Sequence, residues 1–234
     1  MNGGCIIPRV FGIEHGIFLV IVGVVIGIII ALPENRITVK HIKLIAIILL
    51  MAIIWNRIVI SIHNETFANV LPGTFCGASS LALAIGVLVL KRNNPFFHSV
   101  AYIALLGGLI TIIYPDFIGQ AESVFHGRTI SGLVHHALSV ILVLILLKTK
   151  YWQPGWHQWH WTPIGLSAYM LYGLLLIYGL NYNNAMLIRE PILENTPLTW
   201  WVMGILVMLV HAIFLTIITQ SRRWSVSLGH TVGK

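Results

Sequence analysis

Apolar residues run through this chain in long unbroken blocks, separated by short clusters of Pro, Gly, Asn and charged residues. A block of about 17–25 apolar residues matches a helix that crosses the hydrocarbon core of a bilayer. Seven blocks near that length stand at residues 16–32, 42–62, 75–90, 97–114, 129–147, 163–180 and 198–219, the third slightly short. Breakers mark their ends: Pro33-Glu34-Asn35 closes the first and Pro72-Gly73 precedes the third. Lys91-Arg92-Asn93-Asn94-Pro95 follows the third, and Tyr114-Pro115-Asp116 closes the fourth. Pro115 biases Tyr114 away from helical geometry. The pattern predicts an all-α polytopic membrane protein, a seven-transmembrane-helix bundle forming one integral membrane domain over 1–234.

Composition agrees: 57% of residues are hydrophobic and 9% charged, a balance that excludes a water-soluble domain of 234 residues. The formal charge of +7 points to membrane topology rather than to nucleic acid. When the loops are assigned to alternate sides, ten Lys and Arg fall on one side and four (Arg9, Arg57, Arg128 and Arg189) on the other. By the positive-inside rule the N-terminus is expected out and the C-terminus in. The first block is a full span with no small-residue cleavage site behind it, so it reads as a retained helix. The expected location is a bacterial plasma membrane, with the functional groups in the outer half.

Cys5 and Cys76 are the two cysteines, too few for a disulfide framework or a Cys-type metal site. A single Cys5–Cys76 bridge is the one pairing open to them. His157 and His160 have a metal-like spacing but no third ligand, and the tryptophans around them read as an interfacial belt. No metal or cofactor is expected.

Candidate chemistry centres on Cys76, in the first turn of the third span, just after Pro72-Gly73. Backbone N–H groups there have no intrahelical partner, which favours a thiolate and supplies donors for an oxyanion at Cys76 and Gly77. Packing as a small hydrophobe is the competing role of such a cysteine. In the fifth span, His135-His136 is the second signal. Adjacent helical residues diverge by about 100°, so one of the two is expected to face the site. His136 shares a face with Gly132 and Ser139. Glu14, His15, Arg57, Asp116 and Asn181 fall at similar depth as supporting groups, and Arg57 either snorkels or turns toward Glu14 or Asp116. The inner halves of the spans read as nearly featureless, with His211 a packing histidine. Gly107-Gly108 in the fourth span should allow a neighbouring helix to approach closely.

Between Leu71 and Trp200 the sequence resembles the YwaF-like integral membrane family. A eukaryotic ether-phospholipid acyltransferase belongs to that family, and the androgen-induced lipid hydrolases are distantly related to it. The resemblance is carried by Leu71-Pro72 before Cys76, Tyr114-Pro115-Asp116-Phe117, His126 ten residues before His136, and Asn181-Tyr182 with Pro191 downstream. It implies acyl transfer with Cys76 as nucleophile and His136 as its base, membrane lipids being donor and acceptor. Thr74 stands where the family pattern has a polar aromatic residue, often histidine. A lipid ester hydrolase using the same Cys/His dyad, and a non-enzymatic scaffold or transport subunit, are the alternatives.

Overall fold

The computed structural model describes residues 12–65, 70–115, 123–191 and 195–231, with the backbone alone from 222 onward. The described residues form seven α-helices: α1 Ile13–Ala31, α2 Val39–His63, α3 Phe75–Val89, α4 Phe96–Ile113, α5 Gly127–Lys148, α6 Trp161–Leu174 and α7 Trp200–Thr231. No strand occurs among these residues. The protein is a polytopic helical membrane protein, with six helices long and apolar enough to cross a bilayer and α3 shorter.

Helix ends follow the local chemistry. The α2 start carries a capping box between Thr38 and His41. Before Pro115, Tyr114 leaves helical geometry at φ −131°, ψ 85°, and α4 stops. Pro163 sits inside the first turn of α6, where a missing N–H costs nothing, so α6 begins two residues ahead of the apolar block. Its far end widens into a π turn, Leu175–Gly179, before Asn181 reverses the chain at φ 57°. α7 runs past the end of its block to Thr231.

Helices α2 and α4 each pack against both α3 and α5, which also touch each other across the bundle. α5 is the central helix and mostly buried, while α1 and α7 face outward along most of their length. The glycine pair of α4 serves two neighbours because successive residues point about 100° apart. A Cβ on Gly107 would stand 2.5 Å from the Cys76 Cβ on α3, and one on Gly108 would stand 2.7 Å from Val140 and 3.0 Å from the His136 carbonyl on α5.

The connections gather at two ends. At the basic end, Arg92 donates to the Thr149 carbonyl, Tyr151 to that of Leu90, and Lys150 pairs with Glu34 at 3.6 Å. At the opposite end, the Tyr182 hydroxyl accepts from Leu71 N–H at 3.0 Å and donates to the Leu71 carbonyl at 3.1 Å, while Met186 N–H donates to the Gly73 carbonyl at 2.8 Å. Lys43 reaches the Leu88 carbonyl and fixes the far end of α3 at the basic end. Fifteen residues give about 22 Å of helix against a hydrocarbon core of about 30 Å. The first turn of α3 is therefore recessed by about 8 Å from the opposite face.

Candidate active site

Cys76 occupies that recessed turn, and Thr74 caps it. The Thr74 Oγ1 accepts from Gly77 N–H at 3.2 Å and lies 3.5 Å from the Cys76 Sγ. With its lone pair given to Gly77, the hydroxyl has its proton to offer the sulfur. Ala78 N–H goes to the Thr74 carbonyl at 2.9 Å. Gly77 is thus committed to the cap, and the amides of Phe75 and Cys76 are those that α3 offers an oxyanion. Cys76 itself is partly exposed and a free thiol. Cys5, its one possible bridging partner, lies outside the described residues.

Helix α5 runs parallel to α3 in the bundle, and a hydrogen bond ties their levels. The Ser139 hydroxyl lies 2.8 Å from both the Ser80 hydroxyl and the His135 carbonyl. Giving its single proton to the carbonyl, it accepts from Ser80. Cys76 stands four residues before Ser80 and His135 four before Ser139. The thiol and the histidine pair therefore share a level about 6 Å toward the recessed end. Gly107 and Gly108 of α4 touch Cys76 and His136 at the same height.

The histidine rings depart from the sequence expectation. His135 and His136 diverge at the backbone, yet side-chain torsions bring their ring centroids to 3.9 Å with a 36° tilt. Both are buried, and His135 Nδ1, His135 Nε2 and His136 Nδ1 have no hydrogen-bond partner among the described residues. A buried ring nitrogen without a partner costs stability.

The supporting groups divide. The Arg57 Nη2 donates to Asn56 Oδ1 at 2.7 Å, and the buried Asn56 Nδ2 donates to Ser131 Oγ at 3.0 Å. Arg57 meets no carboxylate among the described residues, neither snorkelling away nor pairing with Glu14. Its charge acts on Cys76, Tyr172, Tyr182, His135 and His136. Glu14 instead accepts from Ser123 Oγ at 2.7 Å and Val124 N–H at 2.8 Å, and fully buried His15 donates to the Ile112 carbonyl at 2.8 Å. These two tie α1 to the connection entering α5 and to the end of α4. Asn181 is exposed and holds the left-handed conformation that ends the π turn, a role asparagine tolerates. Asp116, with Phe117, lies outside the described residues.

An apolar cavity of about 460 Å³ lies between α6 and α7, lined by Phe75, Leu166, Met170, Trp200, Gly204 and Met208 among others. Neither Cys76 nor His136 lines it; Phe75, the residue before the thiol, does. The Phe75 ring packs edge-on against Tyr169 of α6 at 5.7 Å.

A second cluster escaped the sequence reading of the inner halves. His98, in the first turn of α4, is fully buried with both ring nitrogens unpartnered among the described residues. Its ring contacts Trp152 at 5.5 Å and His211 at 6.4 Å, and Thr162 Oγ1 bridges the His98 carbonyl and the His211 ring. His211 thus packs, as its position suggested, but in polar aromatic company. Among the described residues no three His, Cys, Asp or Glu side chains gather as a metal set.

The sequence profile of the TMEM164 family, a family of membrane proteins, matches residues 10–220. No curated protein and no solved structure matches the chain.

Proposed function

The chain belongs to the TMEM164 family, and from that premise we propose that it is a membrane-embedded lipid acyltransferase working through Cys76 and His136. One observation supports this reading above the others: the Ser80–Ser139 bond and the Gly107-Gly108 contacts set the sole thiol on a described span level with two buried, unsatisfied imidazoles. The resemblance to the YwaF-like family, read from the sequence, points the same way.

In this reading His136 takes the Cys76 proton, and the thiolate attacks the carbonyl carbon of a lipid ester. The tetrahedral oxyanion meets the amides of Phe75 and Cys76. Collapse breaks the C–O bond, the departing lipid alkoxide takes the proton from the imidazolium, and a thioester remains on Cys76. A second lipid hydroxyl, deprotonated by the same histidine, attacks the thioester and restores the thiol. Thr74 steadies the sulfur in its ionised form. The α6–α7 cavity, ending at Phe75, suits the fatty chain.

The distribution of basic residues favours the outer half of the membrane for this site, and the membrane proposed is a bacterial plasma membrane. Lipid composition of membranes holding wild type is to be compared with that of membranes holding Cys76→Ala. The proposal expects redistribution of acyl chains among lipid species with wild type alone. Release of free fatty acid without redistribution would make water the acceptor and the protein a hydrolase. Identical lipid profiles would leave Cys76 as packing and the protein as a scaffold.

A further inference from the structure

Arg57 is a half-buried cation for which the described residues supply no counter-charge. Of its five N–H donors, one is spent on Asn56 Oδ1 at 2.7 Å. A guanidinium taken partly out of water is costly unless an anion or several acceptors meet it. Its place is fixed rather than free to snorkel. Asn56 is only 3% exposed and is locked to Ser131 of α5, so the Arg57 side chain is held where Asn56 receives it.

That place is informative. Ser131 lies four residues before His135, which sets the anchored end of Arg57 about 6 Å from the Cys76 and His135 level, toward the recessed mouth. Tyr172 of α6 and Tyr182 of the rim stand within reach of its charge. The Tyr182 hydroxyl is committed in both directions to Leu71, so it frames the mouth and does not satisfy the guanidinium. Going inward from the mouth, the order is the cation, then Phe75 at one end of an apolar cavity, then the thiol with the histidines.

We propose that Arg57 is the specificity-determining residue of this site, its guanidinium fork receiving the phosphate of a lipid headgroup while the ester lies one turn deeper at Cys76. The proposal rests on the acyl-transfer reading for the identity of the ester, but not for the binding of the phosphate. Arg is suited to this because its planar fork presents paired donors to a phosphate, where Lys offers a point charge. Neutral glycerides lack the anion and would add no counter-charge where the described residues already supply none.

The test separates binding from chemistry. Protein purified in a maltoside detergent is titrated with dihexanoyl glycerophosphocholine, with dihexanoylglycerol and with inorganic phosphate, and thermal unfolding is followed. The phosphate lipid should raise the midpoint for wild type and for Cys76→Ala alike. It should not do so for Arg57→Gln, and Arg57→Lys should retain part of the shift. Dihexanoylglycerol should give no shift with any of them. Equal shifts for wild type and Arg57→Gln would overturn the assignment, as would equal shifts from the two lipids. Stabilisation by inorganic phosphate but not by the phosphate lipid would overturn the lipid headgroup as ligand.

Cysteine labelling by iodoacetamide supplies the second arm. Its rate should fall by no more than about threefold in Arg57→Gln, because the cation acts on the thiol only through space while its free donors read the lipid. A fall of tenfold or more would mean that the cation serves the thiolate and would also overturn the proposal. Failure of the acyl-transfer reading would appear instead as absence of lipid redistribution with the binding shift intact.

Discussion

Thr74 carries two duties on one hydroxyl, cap of α3 and neighbour of the thiol. Thr74→Val removes both, costing about 1 kcal/mol as a lost cap and slowing alkylation of Cys76 near neutral pH. Thr74→Ser keeps the oxygen and should restore both; thermal unfolding with iodoacetamide labelling across pH measures the pair. If Val labels as fast as wild type, the hydroxyl does not assist the sulfur. The position of Cys76 was legible in sequence because Pro72-Gly73 and the apolar run from Phe75 leave little choice of helix start. The close approach of the His135 and His136 rings was not, since backbone periodicity fixes where Cβ atoms point and says nothing of the torsions beyond them. His98 was missed for a different reason: flanked by Phe97 and Ser99 in an apolar run, a single histidine has no spacing partner, and its company of Trp152 and His211 comes from distant segments.

Among the elements, α4 holds the site together while contributing no reacting group. Gly107 lets Cys76 lie against its backbone, and a Cβ there would sit 2.5 Å from the Cys76 Cβ. Gly107→Ala should therefore cost about 1–3 kcal/mol as overpacking and displace the thiol. Gly23 on α1, with nothing within 4 Å of its would-be Cβ, is the matched control, and Gly23→Ala should be neutral or slightly stabilising. Thermal unfolding in detergent decides between them; equal behaviour would mean that α3 and α4 are not in close contact. The close approach was foreseeable from two adjacent small residues in a span, whereas the division of labour between them needed the bundle. Likewise the seven blocks located the helices, but the sequence read Asn181 as a supporting group of the site, and the left-handed turn it makes after the π turn is something no apolar count can reveal.

For the whole molecule, topology and chemistry are joined by the short helix α3. Reporter fusions after Lys91 and after Asn183 should lie on opposite sides of the membrane, inside and outside respectively, because the loops at the two ends of the bundle separate in that way. Reporters on one side would remove the recessed mouth from the outer half. The central claim is that an acyl group passes through Cys76 with His136 as its base. It is tested most directly by mixing the protein with a phospholipid whose acyl chain is isotopically labelled, quenching in acid, and weighing the peptide that contains Cys76. A labelled, hydroxylamine-sensitive thioester is predicted on wild type, forming at least tenfold more slowly in His136→Ala and absent from Cys76→Ala. No adduct on wild type, or an adduct formed equally fast without His136, would contradict the account.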